Sequence, residues 1–194
     1  MARNLRRGMV HIAAGLLIAA LALVISRPVM ILILGIFTGA FLIFDLIRLR
    51  WPRLNIFFTM MFGMFMRDYE AKRLSGATFM FLGALISMVL YGNHITVLSM
   101  SFLAIGDPLA HFVDYRWGKT KLGRKTLQGA IACFAGCVII GLLWYANALH
   151  VSLATIFTGA AAAAIVHLLP VDIDDNLTIP ALSGGAMWLL SLWL

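Results

Sequence analysis

An aspartate, Asp107, stands inside an apolar run in the segment Ala104-Ile-Gly-Asp-Pro-Leu-Ala-His-Phe-Val-Asp114, directly before a proline. An ionisable side chain in a segment of membrane-spanning character is costly, and by default it marks function. Pro108 removes a backbone donor and can open the helix locally. Asp107, His111 and Asp114 follow i, i+4, i+7 spacing and so share one helical face. That face could bind a metal or move a proton. An acid merely paired with a basic residue near the membrane surface would give the same pattern.

A second polar knot, Val171-Asp-Ile-Asp-Asp-Asn-Leu-Thr-Ile-Pro180, interrupts the apolar sequence near its end. Asp172, Asp174, Asp175 and Asn176 offer hard oxygen ligands, which suit Mg²⁺ far better than zinc. A solvated turn has a similar composition. The third feature is the basic, glycine-punctuated stretch Arg116-Trp-Gly-Lys-Thr-Lys-Leu-Gly-Arg-Lys-Thr-Leu-Gln-Gly129. Gly118 and Gly129 let the backbone approach phosphate oxygens, Lys121, Arg124 and Lys125 neutralise them, and Thr126 could begin a helix whose free N–H groups face an anion. It is not a P-loop, because Arg124 stands where that motif needs Lys. Basic charge attracted to anionic lipid is the plainer explanation of the same stretch. Glu70, Lys72 and Arg73 precede another apolar run and, taken alone, read as a solvated helix end. His11 and His167 have no evident partner and read as structural. His94 and His150 read as inert, and Met60, Met61, Met64 and Met66 as packing or lipid contact.

These residues must be positioned by a chain that is 62% hydrophobic and only 12% charged over 194 residues, whereas a soluble domain is typically ~25% charged. Apolar runs fall at 9–26, 28–47, 74–91, 95–113, 127–149, 151–169 and 178–194, each near the ~17 to 25 residues that a span requires. The expected fold is an all-α, polytopic membrane helix bundle of about seven transmembrane helices, forming a single domain over residues 1–194. The apolar run at 54–66 is too short to cross and is expected to be interfacial or re-entrant. Threading these spans gathers every lysine and arginine except Arg27 on the side of the N-terminus, which the positive-inside rule makes cytosolic. All eight acids fall on or near that side. Any chemistry is therefore expected at the cytosolic face of a multi-pass protein, and nothing points to a nucleic-acid partner. The basic N-terminal arm and first apolar run read as a retained span, not a cleaved signal. Cys133 and Cys137, four apart, are expected on one helical face without a bridge. Ala160 to Ala164 reads as small-residue helix packing, and Gly and Ala on the late helices could support a homodimer.

In order along almost the whole chain, these elements resemble the polyprenol kinase family: dolichol kinase, phytol kinase and CTP-dependent diacylglycerol kinase, distant relatives of phosphatidate cytidylyltransferase. The resemblance rests on Arg7 with His11, Asp45-Leu-Ile-Arg48, Glu70 before Leu74-Ser-Gly-Ala-Thr-Phe-Met-Phe-Leu-Gly83, and Gly106-Asp107 with Ala110. It continues through Gly118 with Lys121, Lys125-Thr-Leu-Gln-Gly129 and Asp174-Asp-Asn-Leu-Thr-Ile-Pro180. It implies a CTP-using, Mg²⁺-dependent kinase acting on a membrane lipid. Asp107 and the group Asp174, Asp175 and Asn176 would lie near metal and triphosphate, with Lys125 on phosphate. Asp45 and Gln128 depart from the family pattern, and His167 sits where an acid is expected.

The resulting expectation is Mg²⁺ held by Asp107 with Asp174 and Asp175, and nucleotide contacts from Glu70, Arg73, Gly106, Gly118, Lys121, Arg124, Lys125, Thr126, Gly129 and Asn176. Asp107, His111 and Asp175 are the catalytic candidates, and either His111 or Asp107 could take the proton of the lipid hydroxyl. Phosphoryl transfer needs mainly positioning and charge stabilisation. A cytidylyltransferase would use the same groups to attack the α-phosphorus with a lipid phosphate. A non-enzymatic transporter or scaffold is a third possibility, disfavoured because transporters tend to place ionisable groups near the midplane.

Overall fold

The computed structural model describes residues 2–123, 125–170 and 173–193, and it is all-α. Among the described residues the helices are α1 (Ala2–Val24), α2 (Arg27–Arg50), α3 (Pro52–Phe62), α4 (Gly76–Tyr91), α5 (Asn93–Trp117), α6 (Leu127–Asn147), α7 (Leu153–Leu168) and α8 (Asp175–Ser191). A 3₁₀ turn (Asp68–Ala71) precedes α4, and a small antiparallel hairpin, β1 (Lys121–Leu122) with β2 (Lys125–Thr126), precedes α6. The seven apolar runs thus appear as α1, α2 and α4 to α8. Four helices, α1, α2, α5 and α6, are long and apolar enough to cross a membrane. Helices α4 and α7 have 16 residues each and α8 has 17.

Local chemistry sets the ends of these elements. Pro28 and Pro52 open α2 and α3 at first-turn positions, where a missing N–H costs nothing. Side-chain oxygens of Ser75, Thr126, Ser152 and Asp174 accept backbone N–H groups at the starts of α4, α6, α7 and α8. Gly92, at φ +79°, makes the tight passage from α4 to α5, a conformation that residues with a Cβ rarely adopt. Pro108 does not open α5, which runs unbroken from Asn93 to Trp117; only the Ala104 carbonyl loses its helical donor there.

Helix α5 is the axis of the bundle, packed on α1, α4, α6, α7 and α8, and 72% of its span is buried against 22% for α1 and α2. The outer face of α2 leaves Leu32, Ile36, Ile43 and Leu46 more than half exposed, as a lipid-facing surface should. Helix α3 contacts α2, has no buried residue, and exposes Phe57, Met60 and Met61, in keeping with an interfacial element. Cys133 and Cys137 are free, buried and on one face of α6. A Cβ on Gly106 would come within 3.0 Å of the Cys133 sulfur and 2.5 Å of the Cys137 sulfur, so Gly106 lets α5 and α6 approach closely. Ala160 and Ala163 are fully buried, and Gly159 faces Met187 of α8 and Phe102 of α5. These small residues pack inside the bundle.

Candidate active site

The polar ends of α5, α7 and α8 meet the hairpin before α6. Asp107 lies about ten residues before the end of α5, or ~15 Å along the axis, and it is 3% exposed. The C-terminus of α7 brings His167 to it, with Nδ1 3.9 Å from Asp107 Oδ1. The N-terminus of α8 brings Asp175, whose Oδ2 accepts from Lys125 Nζ at 3.1 Å. The same ammonium lies 3.3 Å from His167 Nδ1. His111, one turn after Asp107, sets its Nε2 3.3 Å from Asp107 Oδ1 and 3.9 Å from Asp175 Oδ2. The His111 and Asp107 atoms are not aligned for a hydrogen bond, and both are buried without a partner among the described residues.

An inner brace fixes this group from behind. Asp114 accepts from His167 Nε2 at 3.1 Å through Oδ2, and from the Thr126 N–H at 3.1 Å and the Thr126 hydroxyl at 2.5 Å through Oδ1. Thr126 Oγ1 in turn caps α6 by accepting from Gly129 N at 3.2 Å. A Cβ on Gly129 would overlap the Asp114 carboxylate, and one on Gly118 would overlap the Asp114 carbonyl and meet Thr126 Cγ2 at 2.7 Å. Both glycines therefore act through close packing that seats the hairpin on the end of α5.

The segment before α4 forms the opposite wall. Asp174 Oδ1 caps Asn176 N at 3.0 Å, while Oδ2 accepts from Arg67 Nη1 and Tyr69 OH at 3.1 Å each. Burial opposes the charge on Arg67, but Asp174 and Asp107 outweigh it and hold the guanidinium pKa above its usual value. Glu70 accepts the N–H groups of Arg67 and Gly76, both at 3.1 Å. Burial raises its carboxyl pKa and these two N–H groups pull it down, with burial prevailing. Asn176 Nδ2 donates to Gly76 O at 2.9 Å, leaving its own carbonyl oxygen buried without a partner among the described residues.

Behind that wall lies a buried ion pair. Arg48 donates to Asp45 at 2.6 Å, to Asn55 Oδ1 at 2.9 Å, and to the carbonyls of Glu70 and Arg73 at 3.1 and 2.9 Å. Asp45 Oδ2 also accepts from Ser75 N, Ser75 Oγ and Thr78 Oγ1 at 2.7, 2.9 and 2.6 Å. The end of α2 is thereby tied to the start of α4, and the 67–73 segment is held between them.

The expected site residues Asp107, His111, Lys125 and Asp175 thus converge. Asp174 lies apart from them, its oxygens accepting from the α8 cap, Arg67 and Tyr69. Among the described residues, Asp107, His167 and Asp175 place their ligand atoms within 4.8 Å of one another. Two carboxylates, one with an unpartnered buried oxygen, fit a hard divalent cation such as Mg²⁺. Gly106 packs helices, Glu70 and Asn176 brace the wall, and Lys121 and Arg73 are exposed. Arg124 and Asp172 lie outside the described residues. His167 and Arg67 escape a reading by motif, and Arg48 enters only within the motif Asp45-Leu-Ile-Arg48, with no role assigned to it. His167 looks structural because its partners are 42 and 53 positions away; its place in the family pattern where an acid belongs is the one signal that could have raised it.

No family model matches the chain, and no solved structure does. Its sequence is 28% identical over 166 residues to CTP-dependent diacylglycerol kinase 1 of Saccharomyces cerevisiae, covering 73% of this chain and 57% of that one. It is 27% identical over 172 residues to the protein of the same name in Schizosaccharomyces pombe, covering 79% and 75%. The chain is thus similar, over most of its length, to proteins named CTP-dependent diacylglycerol kinase. An uncharacterized protein of Rickettsia prowazekii is 28% identical over 181 residues, 90% of this chain and 88% of that one. The chain spans little more than half the length of the Saccharomyces kinase, so the part held in common with that CTP-dependent diacylglycerol kinase is a portion of it.

Proposed function

We propose that this chain transfers the γ-phosphoryl group of CTP to the hydroxyl of a membrane lipid alcohol, at the polar end of the bundle, which is the cytosolic end. Diacylglycerol is the first candidate acceptor, after the relatives' names; polyprenols and phytol-like alcohols present the same hydroxyl on an apolar tail. The observation that carries the reading is Lys125 Nζ held on Asp175 beside the buried Asp107, towards one end of a bundle whose flanks present hydrocarbon to their surroundings.

Lys125 would exchange Asp175 for triphosphate oxygens, with Lys121 and Arg124 supplying further positive charge around the nucleotide. The lipid hydroxyl would enter laterally and attack the γ-phosphorus in line. Its oxygen forms the new P–O bond as the bond to the β-phosphate oxygen breaks and CDP leaves. His111, whose Nε2 has no hydrogen-bond partner, is the group assigned to take the hydroxyl proton. A divalent cation bound by Asp107 and Asp175 would supply charge neutralisation on the triphosphate.

The test is the purified protein in lipid nanodiscs with a panel of lipid alcohols and lipid phosphates, given CTP labelled at the γ or the α position. Label passing from the γ position into lipid is the expected result and names the acceptor. Label passing from the α position, with release of pyrophosphate, would make the protein a cytidylyltransferase. No transfer from either would return it to transport or scaffolding.

A further inference from the structure

We infer that His167 is a nitrogen ligand to the divalent cation bound by Asp107 and Asp175, and that this site therefore takes a first-row transition ion such as Mn²⁺ in preference to Mg²⁺. The inference deepens the kinase reading by naming the class of ion at the same site.

The tautomer of His167 follows from its surroundings. Its ring is fully buried, and Nε2 faces Asp114 Oδ2 at 3.1 Å. An ionised carboxylate only accepts, so Nε2 carries the proton and Nδ1 keeps its lone pair. Thr126 holds the other oxygen of Asp114 through two hydrogen bonds, so the carboxylate cannot turn away. This is the carboxylate–histidine pairing that orients an imidazole and raises its basicity towards a metal.

The free lone pair points where a cation belongs. Nδ1, Asp107 and Asp175 place their ligand atoms within 4.8 Å of one another. A cation already lies against two of the three, for Lys125 Nζ is 3.3 Å from Nδ1 and 3.1 Å from Asp175 Oδ2. Asp107 Oδ1, on a side chain only 3% exposed, has no hydrogen-bond partner among the described residues. Once Lys125 turns to phosphate, two carboxylate oxygens and one imidazole nitrogen remain. Mg²⁺ prefers an all-oxygen octahedron, whereas an imidazole in the ligand set favours transition ions, for which affinity rises from Mn²⁺ along the first row.

The experiment reads ligation without turnover. The protein in nanodiscs is loaded with Mn²⁺ and inorganic tripolyphosphate, which contains no nitrogen, and pulsed electron paramagnetic resonance measures nuclear coupling to the ion. The expected result is a ¹⁴N coupling that becomes a ¹⁵N coupling when only histidine is ¹⁵N-labelled. It should persist in His111→Gln and vanish in His167→Gln. Mn²⁺ should bind at least ten-fold more tightly than Mg²⁺ in the unaltered protein. Absence of bound Mn²⁺, absence of a histidine coupling in the unaltered protein, or its loss in His111→Gln would overturn the assignment. The labelled, unmutated protein keeps the test decisive if His167→Gln fails to fold. Failure of γ-label transfer would leave a histidine coupling intact, and absence of that coupling would leave γ-label transfer intact, so the two readings fail separately.

Discussion

Asp107 is a buried carboxylate whose helix offers it a half-buried imidazole and no aligned donor. A side chain kept charged at that depth without a hydrogen bond to one of its oxygens is poised for a ligand. Asp107→Asn keeps the shape and removes the charge, so turnover should vanish while the protein still inserts and elutes as the unaltered protein does. Full activity in that variant would remove Asp107 from the site. Lys125→Ala should raise KM for CTP by losing a charge-assisted contact of about 1.5 to 3 kcal/mol. An unchanged KM would reassign the hairpin to the lipid surface. At this scale the sequence was informative where a residue type was unexpected, as with an acid in an apolar helix. It was silent where the meaning lay in a distant partner: Arg67 looks like any loop arginine until Asp174, 107 positions on, arrives beside it.

The elements are held in place by two braces of different chemistry. Asp114 and Thr126 join α5 to α6, and Asp45 with Arg48 joins α2 to α4 across the 67–73 segment. Arg48 is fully buried and uses its planar fork on one carboxylate, one amide and two carbonyls, a geometry that a lysine cannot reproduce. Arg48→Ala should cost about 3 to 5 kcal/mol, because Asp45 would be left as an uncompensated buried charge. Thermal unfolding in nanodiscs would show this as a lowered Tm, and Arg48→Lys should not restore it. A Tm for Arg48→Lys equal to that of the unaltered protein would mean that charge alone suffices. The helices themselves were legible, since each apolar run became one helix and the short run at 54–66 became the outlying α3. Their pairing was not, because periodicity tells which residues avoid water but not which neighbour covers them. The continuity of α5 through Pro108 belongs to that gap: five helices pack around it.

At the scale of the whole molecule, the clustered carboxylates and imidazoles lie at one end of a bundle whose flanks are apolar. The three helices that deliver or flank the site by a terminus, α4, α7 and α8, are also the short ones. Sixteen residues rise only ~24 Å, against a hydrocarbon layer of ~30 Å. As membrane spans, these helices would require the bilayer around them to thin, or phospholipid headgroups to follow the polar termini inward. A lipid alcohol beside them would find its hydroxyl already near the depth of Asp107, without being lifted out of the membrane. On the proposed kinase reading, hydrophobic matching would enter catalysis: lipid-kinase turnover should be highest in bilayers of short acyl chains and fall as the chains lengthen, at fixed headgroup and fixed acceptor. Rates measured in vesicles of graded thickness would show it, and a rate indifferent to thickness would mean that the short helices leave the surrounding lipid undisturbed.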